Sequence, residues 1–401
     1  VLLYVDRVCI SAAEGAITAE LGLTDTQFGW VLSAFALGYA LFQTPGGLLA
    51  DRYGPRVVLT SVVTFWSFFT AMTGFAKGFV SMLVYRFLFG AGEAGAFPSM
   101  ARTFFSWLPV GERGLAQGIN FSGSRIGAAF ALPVIAYLVE SIGWRTTFIV
   151  LAVIGIVWAA YWYAWFRNTP EEKHGVSEQE LKFITSNRQR SSAAEGAATF
   201  RTGILFGSKN MWLAMVQYFC SNFTFFFCLT WLFPYLKRTY ELGAVETGLY
   251  AAAPLLFGAF GNWTSGALVD KLYRAGRWNR SRQLPAIIGF ALAAIGLVGS
   301  VYMDTPLGAV MFLSIAIFGA DMTLPPSWSF CIDIGRDHAG AVSGTMNMAG
   351  NIGSFTTALA FPYLLAWTGA STPFFFVGAA LNVLAIVVWL AARPDRPLEH
   401  Y

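Results

Sequence analysis

Several ionisable residues stand inside otherwise apolar runs: Asp6, Arg7, Glu14, Arg86, Glu93, Arg125 and Asp321. A charge at the middle of a membrane-spanning helix costs about 2.5–3.5 kcal/mol on insertion scales. Most of these groups must therefore pair, neutralise or face water. All but Asp321 lie in the N-terminal half, as a mixture of acids and bases able to compensate one another. Arg86 and Glu93 are two helical turns apart, on one face and about 10 Å from each other along the axis. They cannot meet directly, but one ligand can bridge them, and so can a residue of a facing helix such as Asp6 or Arg7. Two chemistries fit: a buried ion network that locks helices together, or a site that takes up an anion and a proton. Buried salt bridges are poor stabilisers and ionisable groups inside a membrane mark pathways, which favours the second.

Arg125 falls near mid-membrane, flanked by Gly123 and Gly127, whose missing side chains leave room beside it. It is either a third anion ligand, with Ser124 next to it, or the partner of Glu14 or Asp321; a third substrate arginine would favour a doubly charged anion. The C-terminal half offers hydrogen-bonding side chains instead: Asn222, Trp328, Asn347 and Asn351. Pro325-Pro326 should break the helix that carries Trp328 and free backbone groups there. With Tyr4 and Tyr39, these residues suit a polyhydroxylated ligand, aromatic faces against carbons and amides against hydroxyls. For each aromatic the competing reading is helix packing, and for Asp321 capping of the broken helix competes with proton handling.

The elements that position these residues follow from composition. The 401 residues are 56% hydrophobic and 12% charged, against roughly 25% charged in a soluble domain. A soluble enzyme, a nucleic-acid binder and a disordered scaffold are all excluded by that balance. Cys9, Cys220, Cys228 and Cys331 lack metal-ligand spacing, and His174, His338 and His400 lie in polar loop or tail sequence. No disulfide framework, metal site or cofactor is therefore called for. Twelve apolar segments occur near 1–19, 27–50, 56–76, 79–107, 113–140, 144–166, 209–237, 246–270, 283–303, 306–332, 339–367 and 372–392. The first is short at its start, with only Val1 to Val5 before Asp6-Arg7, so that helix is expected to lack its beginning; no signal peptide is visible. The polar stretch 167–208 reads as a linker, with Ser177 and Glu180 as the capping box of a short helix. If that linker is cytoplasmic, most of the 26 Lys and Arg residues lie on its side, a positive-inside bias that also places both termini in the cytoplasm.

An internal repeat sets the architecture. Gly47-Leu48-Leu49-Ala50-Asp51-Arg52 follows the second segment and Gly266-Ala267-Leu268-Val269-Asp270-Lys271 follows the eighth. Gly114, Gly118 and Gly127 recur at the same spacing as Gly340, Gly344 and Gly353. A repeat this long is no solenoid; it fits two halves in the same membrane orientation. The expected fold is an all-α integral membrane protein of twelve transmembrane helices in two pseudo-symmetric six-helix bundles, 1–166 and 209–401, joined by 167–208. The halves should enclose a mid-membrane cavity reached by Arg7, Arg86 and Glu93. Asp51, Arg52 and Arg56, with Asp270 in the second copy, lie at the cytoplasmic surface. Asp51 can accept hydrogen bonds from the N-terminus of a neighbouring helix, in one conformational state and not in the other; the alternative is a simple topology anchor.

Gly46-Gly47-Leu48-Leu49-Ala50-Asp51-Arg52-Tyr53-Gly54-Pro55-Arg56 resembles the loop 2–3 signature of the major facilitator superfamily, and the twelve-helix pattern extends the likeness over the whole chain. Within it, Tyr4-Val5-Asp6-Arg7, Arg86 to Glu93 followed by Phe97-Pro98, Glu112-Arg113-Gly114, Gly143-Trp144-Arg145, Trp231 to Leu236 and Asn347 to Asn351 are together similar to the anion:cation symporter family, which includes sugar-acid permeases and sialin-like carriers. That resemblance implies that Arg7 and Arg86 bind a substrate carboxylate, that Asp6 and Glu93 take up protons, and that Asn347 is a ligand position. The expected function is proton-coupled symport of a small organic anion, a sugar acid such as a hexonate or hexuronate, by a monomer in the inner membrane with no nucleic-acid partner. The alternatives are another organic anion (a dicarboxylate or aromatic acid) and export. A membrane-embedded transferase would need a nucleophile–base pair or metal ligands near the interface, and none is evident.

Overall fold

The computed structural model describes residues 2–189, 202–242 and 244–398. Among them every regular element is helical. The first half contains α1 (Leu2–Ala12), α2 (Glu14–Leu21), α3 (Asp25–Tyr53), α4 (Pro55–Gly74), α5 (Phe79–Glu93), α6 (Ala96–Trp107), α7 (Arg113–Ile142) and α8 (Trp144–Trp165). The linker holds α9 (Glu178–Asn187), capped by Ser177, whose hydroxyl accepts from the Glu180 N–H at 3.2 Å. The second half contains α10 (Thr202–Gly207), α11 (Lys209–Thr230), α12 (Leu232–Thr239), α13 (Ala244–Arg274), α14 (Trp278–Val301), α15 (Pro306–Met322), α16 (Leu324–Gly335), α17 (Ala339–Thr368) and α18 (Thr372–Ala391). By length and apolarity, α4, α8, α11, α14, α18 and the stretch Pro306–Thr368 can cross a membrane.

The expected break in the tenth segment is present, at Thr323 between α15 and α16. Three more breaks were not read from sequence: at Ala13 between α1 and α2, at Ala94-Gly95 between α5 and α6, and at Trp231 between α11 and α12. The broken segments are thus the first, fourth, seventh and tenth. At three of the four breaks a proline occupies the third position of the following helix: Pro98, Pro234 and Pro326. Proline has no N–H for the carbonyl four residues back, so the ladder is interrupted there. No proline accompanies the break at Ala13, and the local sequence does not explain it. The ninth segment starts earlier than its apolar run, at Trp278, because the polar turn Trp278–Gln283 is already helical.

Two compact units emerge. The first comprises Val1–Leu108, Gly123–Ala197 and Gly335–Met348; the second comprises Pro109–Ser122, Ala198–Ile334 and Ala349–Tyr401. Each therefore combines most of one sequence half with the start of one helix from the other, α17 for the first unit and α7 for the second. In the first unit α3 packs along α5, and α4 lies against both α5 and α8; in the second α15 packs between α13 and α14, with α18 on α11 and α14.

The α3–α5 crossing is made backbone to backbone. A Cβ on Gly38 would collide with the Phe87 carbonyl oxygen, and a Cβ on Gly90 with the Phe35 carbonyl oxygen. Small residues allow such approach where no solvent drives helices together. This crossing sets Arg86 and Glu93 of α5 against Phe35 and Tyr39 of α3. Gly90→Val should therefore cost about 1–3 kcal/mol through overpacking and lower the melting temperature of the purified protein in detergent by several degrees. Gly15→Ala, which meets nothing within contact range, should hold or gain stability by up to ~1 kcal/mol. Equal melting temperatures for the two variants would show that the crossing is not closely packed.

Candidate functional site

Helix α1 presents Tyr4 and Arg7 one turn apart on one face and turns Asp6 away from Arg7. Arg7 Nε donates to Glu93 Oε2 at 2.7 Å. Its guanidinium carbon also lies 4.4 Å from the centroid of Tyr39, 5.1 Å from that of Tyr4 and 5.3 Å from that of Phe35. Three aromatic faces thus hold the cation around the ion pair. Asp6 is taken up elsewhere: Trp66 Nε1 of α4 donates to its Oδ2 at 3.1 Å. Arg7 is therefore the residue of the first helix that bonds to Glu93, while Asp6 bonds to Trp66. Arg86 lies over Phe89 at 4.5 Å and Phe35 at 5.1 Å, so both arginines share the Phe35 ring. Arg125 Nη1 donates to the Tyr4 hydroxyl at 3.2 Å.

Burial grades this cluster. Glu93 is 0% exposed and Asp6 and Arg86 are each 2% exposed, whereas the Arg7 side chain is 18% exposed; Tyr4 and Arg125 are also partly exposed. Glu93 Oε1, Asp6 Oδ1, Arg7 Nη2 and Arg86 Nε are buried and make no hydrogen bond with a described residue. The side chain of Glu14 lies outside the described residues, as do the residues around His400.

The hydrogen-bonding candidates divide. Asn347 Nδ2 donates to Gln43 Oε1 at 3.0 Å, and beside it the Thr44 and Thr345 hydroxyls meet at 3.2 Å, all within the first unit. Ser124 is buried in that unit. In the second unit Trp328 is 1% exposed; its Nε1 donates to the Tyr218 hydroxyl at 2.9 Å and its ring lies 5.5 Å from Phe121. That is the packing reading of the tryptophan. Asn222 bonds back to the Tyr218 carbonyl of its own helix at 3.0 Å. Asp321 is buried in the last turn of α15, against Gly258 of α13.

The repeated loop motif makes the same contact twice. Asp51 accepts from the N–H groups of Gly340 at 2.9 Å and Ala341 at 2.7 Å, at the start of α17. Asp270 accepts from Gly114 and Leu115, both at 2.8 Å, at the start of α7. Each carboxylate sits on a helix N-terminus, where the dipole and unbonded amides favour a negative charge. Arg52 is exposed beside Tyr53, and Arg56 Nε donates to the Tyr163 carbonyl at 2.9 Å.

Next to the second contact lies a cluster that the sequence did not announce. Asp333 of α16 accepts from Arg113 Nη1 at 2.9 Å, from Arg282 Nε at 2.8 Å and from Trp278 Nε1 at 3.1 Å. Arg113 and Arg282, which the sequence places at the ends of apolar segments, are both 0% exposed. Asp333 stands just past the expected end of the tenth segment, and an acid in the run Ile332-Asp333-Ile334 was the available signal. Gln43 and Trp66 gave none, since polar and aromatic residues elsewhere in these helices face packing partners. The matching contact in the first unit is looser: Arg102 Nη2 to Asp337 Oδ1 at 3.3 Å, both partly exposed.

The sequence model of the Major Facilitator Superfamily matches residues 1–358. A protein of Cupriavidus necator described as a probable sulfoacetate transporter is 36% identical over 385 residues, covering 96% of this chain and 89% of that one. A probable galactarate/D-glucarate transporter of Escherichia coli K12 is 32% identical over 411 residues, covering 98% and 91%. A D-galactonate transporter of Escherichia coli O6:H1 is 30% identical over 399 residues, covering 96% and 91%. Among solved structures, a proton:xylose symporter superposes with a TM-score of 0.78 at 15% identity, covering 99% of this chain and 95% of that one.

The unequal burial of the two acid–base contacts has a measurable consequence. Asp333→Asn leaves two guanidiniums buried without their carboxylate and should cost about 3–5 kcal/mol. Asp337→Asn acts on a partly exposed pair and should cost no more than about 1 kcal/mol. Thermal melts of the purified variants compare the two directly; a melting temperature for Asp333→Asn at or above that of Asp337→Asn would contradict the assignment.

Proposed function

The chain belongs to the Major Facilitator Superfamily, and we propose that it is a proton-coupled importer of a small organic anion of the sugar-acid class. Its fold and its relatives make it a transporter and not an enzyme. The relatives' described substrates, sulfoacetate, galactarate or glucarate, and galactonate, are all organic acids, which supports an anionic substrate here.

The observation that carries the coupling is the 2.7 Å ion pair of Arg7 and Glu93. An ionised Glu93 occupies the guanidinium that a substrate carboxylate would use. A proton on Glu93 removes that competitor and frees Arg7 for the bidentate grip that a planar guanidinium makes on a carboxylate. The bound anion in turn takes away the cation that held Glu93 ionised. Proton and anion thus bind each better in the presence of the other, as linkage requires. Arg86, behind the shared Phe35 ring, adds positive field to the same place, and Asp6 is the second protonatable group. Tyr4, Tyr39, Ser124 and Asn347 are proposed to line the site in the first unit; in the second unit Asp321 is proposed as a further proton-handling acid, and Trp328 has the packing role described above. The contacts of Asp51 and Asp270 with helix starts are proposed to form and break as the carrier alternates between its two states, with Arg52 and Arg56 fixing the loop at the membrane surface. The distribution of Lys and Arg supports an inner-membrane protein with both termini in the cytoplasm, acting as a monomer.

Arg7→Ala and Arg86→Ala should each weaken anion binding at least tenfold, about 1.4 kcal/mol. Lysine should rescue poorly, because an ammonium cannot copy two parallel bonds. Glu93→Gln mimics the protonated carboxyl. It should bind anion at least as tightly as the wild type, lose the pH dependence of binding, and exchange substrate across proteoliposomes without concentrating it under an inward proton gradient. Gradient-driven accumulation by Glu93→Gln would remove Glu93 from the coupling step.

A further inference from the structure

We infer that the C-terminal end of α8 binds an anionic phospholipid, its phosphate held by Arg56, Arg167 and Lys173 and its acyl chains lying along the exposed face of the helix. A helix end leaves its last carbonyls without partners in the helix. In α8 the Phe166 N–H closes the Trp162 carbonyl at 2.8 Å. The next three carbonyls each accept from a basic side chain. Arg56 Nε, from the first turn of α4, donates to Tyr163 at 2.9 Å. Arg167 Nη1 donates to Ala164 at 2.9 Å and also to Phe166 at 2.8 Å. Lys173, from the linker, donates to Trp165. Two of the cations lie over rings of the same turn, Arg56 at 4.3 Å from Tyr163 and Lys173 at 4.1 Å from Trp165. The chain that carries them is pinned: Asn168 Oδ1 accepts from the Arg56 N–H at 2.9 Å, and Trp107 Nε1 donates to the Arg167 carbonyl at 2.9 Å.

Capping of α8 does not use up this charge. A helix C-terminus carries roughly half a negative charge, and three cations surround this one. Of the acids in the same stretch, Glu171 pairs with Arg188, which leaves Glu172, exposed, against the three. Arg56, Arg167 and Lys173 are themselves partly exposed, and each has N–H groups beyond those the carbonyls take. Their depth is marked by the exposed rings of Tyr161, Tyr163 and Trp165, since tyrosine and tryptophan settle where the apolar layer meets the headgroups. From there an apolar stripe runs back along α8, a helix long and apolar enough to cross a membrane. Val150, Ile154, Val157, Tyr161 and Trp165 are all exposed and follow one another at three or four residues, on one side of the helix. A positive end above an apolar ridge is the complement of a phospholipid. A guanidinium takes two oxygens of a phosphodiester at once, and the surplus positive charge favours a head with net negative charge over one that carries its own cation.

The test is competition between phosphatidylglycerol and phosphatidylcholine of matched chains for the full chain in mild detergent, with the retained lipid counted by native mass spectrometry. Three variants are compared with the wild type: Arg56→Gln with Arg167→Gln, Lys173→Gln alone, and Arg277→Gln with Arg280→Gln. The last pair removes the same charge from two exposed arginines of the second unit. The wild type should prefer phosphatidylglycerol by about tenfold or more, the Arg56/Arg167 variant should lose most of that preference, and Lys173→Gln should lower it by about threefold. The Arg277/Arg280 variant should keep it. The preference is a ratio for one folded protein, so a general loss of stability does not imitate the effect. Lys173→Gln, placed in the linker, carries the test if the double variant of the helix ends does not fold. A wild type without preference overturns the inference, and so does a preference that no variant lowers below that of the Arg277/Arg280 pair, which would reduce it to general attraction between a basic surface and acidic lipid. Inorganic phosphate that binds the purified chain as tightly as phosphatidylglycerol overturns it as well, because the apolar stripe would then contribute nothing.

Discussion

Glu93 carries a carboxylate that solvent does not reach, and the ion pair it makes with Arg7 at 2.7 Å is the interaction around which the first unit is arranged. Neither charge can be accommodated alone in a medium that does not solvate ions. The surrounding sequence is shaped to bring them together. The glycine crossing of α3 and α5 sets Glu93 within reach of α1, and the break after Glu93 ends α5 at that residue. Phe35 and Tyr39 supply the aromatic faces that hold the guanidinium once the carboxylate is engaged. Trp66 takes Asp6 out of competition, so that two adjacent ionisable residues of α1 serve different partners. Altering any of these elements would leave a buried charge without its complement.

The repeat shows which features belong to the framework and which to the chemistry. Both copies of the loop motif place an aspartate on the start of a helix from the other sequence half, at nearly the same distances. A short 3-10 turn precedes that helix in both cases. The breaks in the first, fourth, seventh and tenth segments likewise recur across the halves. Among the described residues the buried ionisable clusters do not recur: the Arg7–Glu93 cluster belongs to the first unit and the Asp333 triad to the second, and near the start of α17 the first unit has only the partly exposed Arg102–Asp337 pair. The contacts of an aspartate with a helix start are thus duplicated, while the buried ionisable clusters have diverged.

What was legible in the sequence follows the same division. Helix number and extent were readable because apolar runs of membrane length have few alternatives, and Asp51 on a helix start was readable because a carboxylate at that surface has an obvious complement in the helix dipole. The break at Thr323 was announced by two adjacent prolines, whereas single prolines at Pro98 and Pro234 looked no different from Pro45 and Pro254, which sit inside unbroken helices. Ionisable residues at depth stood out by cost alone, but their pairing did not: whether Asp6 or Arg7 met Glu93 depends on the rotation of α1, which neighbouring residues leave ambiguous by about 100°. The burial of Arg113 and Arg282 was not legible, because positive charge near a membrane surface is ordinarily solvated. Their burial depends on Asp333, which lies far from both in sequence.

Stability alone does not account for an ion pair as buried as Arg7–Glu93. An apolar pair of similar volume would hold α1 to α5 as well or better, since desolvation consumes most of what two buried charges gain from each other. Such a pair differs from an apolar contact in what can replace it: the carboxylate can surrender the cation if it takes a proton, and the cation can surrender the carboxylate if it takes another anion. The Trp66–Asp6 bond and the aromatic faces around Arg7 hold both residues of α1 in position independently of the pair. Arg7 is partly exposed where Glu93 is enclosed, so under the proposed function an anion would arrive at the open side of the guanidinium while its internal partner stays covered. On the proposed function that exchange of partners, more than any gain over an apolar contact, is the reason to keep two charges here, because a carrier must release what it binds.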